Sequence, residues 1–383
     1  MDTNISKRFD DWLKSDSSAA ALVMRQWLLP VEGENTVIFP PTYAEPNEMS
    51  ENEKREWRQQ TLGYNIDRLD GGATVCQIDS VGAQANRMEA IFKREPYKKL
   101  VPQVTITVGQ TKVNLLDAGH RAADAVVRFS DLRGKFDKAF CSIRDNGNAE
   151  PLAKIAPTSI VFGCWDSQST GVKLPRIVRS VIRAYEVDLL HRSAQYIAPV
   201  RYVNAGVIEV PEGVSDRILS KLGLRDTPAS WTHGGVKLRP EKGEIRRDAV
   251  LNLAAIRALG TNEAGPDDEK TLKLRRYILG LALVAFTAPH DTNLREGCQL
   301  VPDAKRPSKW ELVRHDGQRE EFSLSHDEAL KFAEDAAHDF VIGPDEDADF
   351  DQRYAKQQLA KSKEERKKEK RQRKLETNEE EQK

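Results

Sequence analysis

Ala73-Thr-Val-Cys-Gln-Ile78, then Ser80, then Ala83-Gln-Ala-Asn-Arg-Met-Glu89 is the stretch on which the fold class turns. Gly71-Gly72 marks a turn, the six residues from Ala73 read as a strand, and Ala83 to Glu95 joins helix-forming residues to helical periodicity. Downstream, Val104-Thr-Ile-Thr-Val108 and Lys112-Val-Asn-Leu-Leu116 flank Gly109-Gln110-Thr111, which predicts a hairpin. His120 to Phe129 predicts a short helix. Thr158-Ser-Ile-Val-Phe162 predicts a deeply apolar strand opening into the loop Asp166 to Gly171. Strands and helices interleave throughout, the pattern of an α+β fold.

Towards the N-terminus, Phe9, Trp12, Leu13, Leu22, Val23 and Leu28 recur at roughly helical spacing until Pro30, which predicts one or two amphipathic helices between Ile5 and Leu29. Thr36-Val-Ile-Phe-Pro-Pro41 reads as a strand stopped by its prolines, and Asn47 to Gln60 as an exposed helix or loop. Beyond Val200, glycines and prolines punctuate short segments and predict a loop-rich insertion around residues 200–245. Helices are expected near Asp248 to Leu259, Thr271 to Ala288 and His326 to Phe340. One globular domain over 1–344 follows, with 345–383 as a charged tail, either disordered or a solvated helix. Tyr354, Leu359 and Leu375 are widely spaced in that tail, so removing 352–383 is expected to leave folding unchanged.

At 383 residues, with 39% hydrophobic and 31% charged side chains, the chain has enough apolar surface to fold. The longest apolar run, Ile278 to Ala288, is too short to cross a bilayer, and the N-terminus has no apolar segment of the kind that directs secretion. A cytoplasmic protein with no membrane partner is expected. Cys76, Cys141, Cys164 and Cys298 are scattered, with no CxxC pair, and read as reduced thiols. The formal net charge of -1 hides a segregation, since Gln84 to Arg183 holds 17 Lys and Arg against 9 Asp and Glu, a net of +8. A basic middle in a neutral chain suits a polyanion held at one surface, although a solvated surface has the same composition.

Plotted as a helix, Lys173 to Arg183 puts Leu174, Ile177, Val178, Val181 and Ile182 on one face and Lys173, Arg176, Arg179 and Arg183 on the other, a row of cations suited to phosphates. From Ile182 onward the same residues could equally continue as a strand. His120, Asp124 and Arg128 recur at i, i+4 and i+8, so Asp124 could pair with Arg128 or orient His120 as a base. No Ser or Cys nucleophile in a supporting motif accompanies them. The histidines have no HxxxH spacing and glycine-rich phosphate loops are absent, so neither a metal nor a nucleotide cofactor is expected. Trp165, beside a polar loop, is either core or a base-stacking platform.

Ser80-Val-Gly-Ala-Gln-Ala-Asn-Arg-Met-Glu89, Asp117-Ala-Gly-His-Arg-Ala-Ala-Asp124, Val161-Phe-Gly-Cys-Trp-Asp-Ser167, Lys173-Leu-Pro-Arg176 and Ile182-Arg-Ala-Tyr185 occur in that order. Together they resemble the RAMP-superfamily backbone subunit of type I-G (formerly I-U) CRISPR surveillance complexes, over about Ile78 to Gln195. The resemblance implies an RRM/ferredoxin-like core with a hand-shaped elaboration that includes a thumb, which the Gly- and Pro-rich stretch after Val200 could supply. It implies non-catalytic copies stacked along one guide crRNA as the Cascade backbone of a ribonucleoprotein for antiviral defense, with target DNA paired to the guide and other effector subunits at its ends. Guide RNA would then be held by Asn86, Arg87, His120, Arg121, Arg128, Lys173, Arg176, Arg179 and Arg183, mostly through phosphates, with Trp165 as a stacking candidate. The rival reading is an endoribonuclease that trims its own guide with His120 as base.

Overall fold

Alternation decides the first long element. Leu22, Met24 and Leu28 are buried while Arg25 between them is exposed, the period-two signature of a strand with one inner face. In the computed structural model, which describes residues 8–261, 265–289, 292–361 and 365, with Trp231 described by its backbone alone, the chain therefore runs as β1 (Ala19–Pro30). The expected N-terminal helix is reduced to the single turn Asp10–Leu13. Then come α1 (Glu51–Thr61), β2 (Thr74–Asp79), α2 (Val81–Glu89), β3 (Val104–Val108), β4 (Thr111–Asn114) and α3 (Arg133–Asn146). The chain continues through β5 (Val178–Tyr185), β6 (Val187–Ala194), β7 (Ser230–Leu238), β8 (Glu244–Asn252) and α4 (Glu269–Thr287). It closes with β9 (Cys298–Pro302), β10 (Lys309–Arg314), α5 (His326–Phe340), β11 (Glu346–Asp349) and α6 (Gln352–Ala360).

The main sheet runs β9/β10–β1–β8–β5–β2, antiparallel throughout. Registers Leu22↔Leu251, Leu22↔Leu312 and Leu251↔Val178 set one apolar row across four strands. On that face lie Ala85 and Met88 of α2 and the almost wholly buried α4, whose Ile278 to Phe286 pack against α5. The opposite face carries Arg25, Trp27, Arg179, Arg183, Tyr185, Arg246 and Asp248, and among the described residues no helix layer covers it. The fold is α+β, as expected from the interleaved elements.

Several expectations are corrected. Lys173 to Arg183 is not a helix but Lys173–Leu174 followed by β5, because Val178, Ser180, Ile182 and Ala184 alternate inward while Arg179 and Arg183 point to the other face. Asp248 to Leu259 is the end of β8 plus the short helix Leu253–Arg257, which Asn252 caps by accepting from Ala255 N. Thr158 to Phe162 belongs to a helix, Pro157–Val161, with proline in its first turn; all five residues are buried, so no period separates strand from helix. Thr36 to Pro41 makes only the single bridge Ile38↔Val236, since Pro40 and Pro41 have no N–H to offer a ladder. Residues 230–245 are not loop but the β7 side of a two-stranded ribbon with β6 and the start of β8. The domain also passes the expected boundary at 344: β11 pairs in parallel with β3, Glu346↔Val104 to Asp349↔Thr107. The expected disorder of 366–383 lies outside the described residues.

Candidate nucleic-acid interface

α2 starts where the Ser80 hydroxyl accepts from Ala83 N, and its pitch sets Asn86 and Glu89 one turn apart on one side. Arg121, held in the left-handed region at φ 53, reaches that side. Its Nε donates to Glu89 Oε2 at 2.7 Å, Nη1 to the Gly163 carbonyl at 3.2 Å and Nη2 to Asn86 Oδ1 at 3.2 Å. The guanidinium also lies 5.5 Å from the Phe162 ring centre. One buried cation thus ties α2, the 117–124 segment and the start of the 163–176 loop. Burial pushes the Glu89 carboxyl up to about 7, against the pull of the Arg121 charge and of Thr158.

The loop above this pin is built by Gly163 and Asp166. Gly163 has φ +75, and a Cβ there would stand 2.9 Å from the Leu174 carbonyl and 3.0 Å from Arg176 N, so glycine is required by both conformation and space. Cys164–Trp165 pairs with Lys173–Leu174, and the buried Asp166 carboxylate accepts from Ser169 N, Thr170 N and Thr170 Oγ1 to close the turn between them. Trp165 is left 60% exposed with the Lys173 ammonium 5.6 Å from its ring centre. Arg176 is exposed beside Gly163, its pKa lowered by partial burial and by the Arg121 charge. Among the described residues no carboxylate lies within ion-pair distance of Lys173 or Arg176.

The other expected contacts separate from this ridge. Arg87 donates to the buried Asp79 at 3.2 Å, and Asp79 also accepts from Gln84, whose Oε1 accepts from Ser180, whose Oγ accepts from the buried Arg247. Burial lowers the Arg247 pKa to about 10. Arg179 and Arg183 stand on the uncovered sheet face, across from Val250 and Arg246, where Arg25 and Arg246 pair with Asp248 at 3.2 and 2.9 Å and Arg246 lies 4.2 Å from the Tyr185 ring centre. His120 to Phe129 is not one helix: Asp124 is extended between a 3-10 turn, Arg121–Ala123, and Ala125–Arg128, so the i, i+4, i+8 face does not form. Asp124 accepts from the backbone N–H of His120 at 3.2 Å and of Val126 at 3.1 Å, and Arg128 sits 5.7 Å from the Phe129 ring.

The structure therefore unites Asn86, Arg121, Trp165, Lys173 and Arg176, sets Arg128 in a small cleft shared with Asp166 and Ser169 of the same loop, and places Arg87, Arg179 and Arg183 elsewhere. Sequence reasoning passed over Glu89 and Gly163. Glu89 was legible as the residue three after Asn86, the spacing at which two side chains can hold one guanidinium. Among the described residues no cluster of His, Cys, Asp and Glu could hold a metal ion, and no helix is long and apolar enough to cross a membrane.

Residues 22–189 match the family described as CRISPR-associated protein GSU0053, a span that takes in β1, β2, α2, the Arg121 pin, the Trp165 loop and β5. No curated protein matches the chain. The match supports a CRISPR-associated protein and a role in CRISPR defence.

Proposed function

We propose that this chain is the non-catalytic backbone subunit of a type I-G CRISPR effector complex, a RAMP-superfamily protein that polymerises along crRNA and leaves its bases free to pair with target DNA. The observation that carries this reading is the exposed ridge of Trp165, Lys173 and Arg176, two cations without acidic partners among the described residues and one aromatic platform, fixed from below by the buried Arg121–Glu89 pair. Fixed, uncompensated cations bind the phosphate chain without regard to sequence, as a subunit that repeats along a guide must.

Two further features support the same reading. The four strands β1, β5, β8 and β10 stand in the sheet order fourth, first, third, second, with α2 between the first pair in the chain and α4 between the second. That is the strand-helix-strand-strand-helix-strand succession of an RRM-like core. The β6–β7 ribbon leaves between the second and third of these strands and carries 195–229, with Ile197, Val207 and Leu222 exposed, an insertion that suits the thumb of this reading. Asn86 and Arg121 act in this reading as the support that positions the loop. Electron micrographs of the chain co-expressed with a CRISPR array test it: short regular filaments containing RNA are expected, and monomers free of nucleic acid would overturn it.

A further inference from the structure

A cavity of about 880 Å³ opens between α1 and the middle of the β6–β7 ribbon, lined by none of the residues of the Trp165 ridge. That volume lies in the range of sites for small organic ligands, roughly 300–1,000 Å³. Its lining includes Tyr43, Trp57, His191, His233, Arg55 and Arg58. α1 buries none of its residues in the core, so the half-buried Trp57 on it faces this space and not a packed interior.

The wall holding His233 is specially built. The ladder between β6 and β7 shifts register between His233 and Val236, where a Cβ on Gly234 would come within 2.6 Å of the Leu190 carbonyl and one on Gly235 within 2.4 Å of Val37. Such a bulge re-aims its neighbouring side chain. His233 stands opposite His191, 5.8 Å from the Tyr64 ring centre, and its Nδ1 is buried with no hydrogen-bond partner among the described residues. A buried imidazole nitrogen left unpaired is costly, which a ligand with polar edges would relieve. Arg58 is committed to Glu45, whereas Arg55 is exposed and has no carboxylate within ion-pair distance among the described residues.

We propose that this cavity receives one unpaired base of single-stranded RNA, stacked on Trp57 and Tyr43, with its polar edge toward His233 and its phosphate near Arg55. Flat aromatic walls, an unpaired imidazole nitrogen and a free guanidinium match a planar ligand with a polar edge and an anionic tail. An aliphatic or lipid occupant would leave both polar groups unsatisfied. The proposal rests on the reading that the chain binds RNA.

The test compares wild type, Trp57→Ala, Trp57→Phe and the double variant Lys173→Ala/Arg176→Ala. Each is titrated by fluorescence anisotropy with a labelled oligoribonucleotide, intact or carrying one abasic nucleotide at successive positions, and by calorimetry with AMP and UMP. Trp57→Ala is expected to weaken intact RNA by about 5- to 100-fold, the worth of one stacked base, and Trp57→Phe to restore most of it. An abasic nucleotide at one position should cost wild type the same factor and cost Trp57→Ala nothing. Trp57→Ala binding like wild type, while the double variant is weakened, would overturn the cavity and leave the RNA reading standing. AMP or UMP lost in Trp57→Ala with RNA affinity unchanged would overturn the RNA assignment of the site. Absence of RNA binding by wild type would overturn both.

Discussion

Arg121 donates to Glu89 at 2.7 Å with the two side chains 5% and 2% exposed, the most deeply buried pairing of opposite charges beneath the Trp165 ridge. Neither group has water to fall back on, so removing Arg121 leaves the buried Glu89, Asn86 and the Gly163 carbonyl without their donor. Arg121→Ala is expected to cost about 3–5 kcal/mol in urea unfolding. Arg121→Lys, which keeps the charge but loses the fork that also reaches Asn86 and Gly163, should fall between. A change below about 1 kcal/mol for Arg121→Ala would show that the pair does not hold these segments together.

The same carboxyl makes stability depend on pH. Glu89 is pushed up to about 7 from an ordinary value of 4.5, so between those values the folded chain holds a proton that the unfolded chain has released. Folding is thus favoured at the acid end, and stability falls as pH rises from about 4.5 through 7, by up to about 3 kcal/mol. Asp79, also raised by burial, adds a slope of the same sign. Glu89→Gln should flatten the profile measured by urea unfolding across that window. An unchanged slope in Glu89→Gln would assign the dependence to other groups.

Lys173→Ala and Arg176→Ala are each expected to weaken RNA equally on unrelated sequences and to lower the salt slope by about one. Gly163→Ala should weaken RNA without removing charge, because its Cβ would collide with Leu174 and Arg176 and displace the ridge. Arg179→Ala and Arg183→Ala, on the far sheet face, should have smaller effects on the same titration. Equal effects from both sets would merge the two faces into one binding surface.

How much of this was legible depends on what each residue's neighbours are. β2, α2, the β3–β4 hairpin, α4 and α5 announce themselves through local signals, such as Ser325 and Glu328 capping α5 reciprocally. β5 reads as a helix in the sequence because Val181, on its outer face, is buried almost as fully as Val178 and Ile182, and apolar residues on both faces mimic a helical period. β8 hides an arginine on its inner face, Arg247, so its alternation is not one of polarity alone. Arg121 reads as an RNA contact in the sequence because its buried partner is 32 residues away, and local sequence holds no trace of that meeting.

The C-terminal segment is firmer than its composition implies. Tyr354 lies 3.6 Å beneath the Arg133 guanidinium and 5.8 Å from the Phe129 ring, and its N–H donates to Asp351. Truncation after Lys361 removes residues with a single apolar side chain, Leu375, and should leave the melting temperature unchanged. Truncation after Asp351, which removes Tyr354 as well, should lower stability by about 0.5–1 kcal/mol. Identical melting curves for both truncations would restore the original expectation of a dispensable tail from 352.

The sharpest division is between a scaffold and a nuclease, and His120 is where it can be drawn. For His120 to act as a general base, its imidazole would need a group to orient it, and Asp124 is the neighbour that the sequence offers. Both oxygens of that carboxylate are engaged by backbone N–H groups, of His120 itself and of Val126, so Asp124 serves as a turn and helix cap. Purified protein is therefore expected to leave labelled guide RNA uncut, with or without magnesium. His120→Ala should change RNA affinity by no more than about 2 kcal/mol. A general base would behave oppositely, its loss costing about 10²-fold or more in cleavage with binding nearly intact. Reproducible cutting at a fixed position by wild type, abolished in His120→Ala at unchanged affinity, would replace the scaffold with an enzyme.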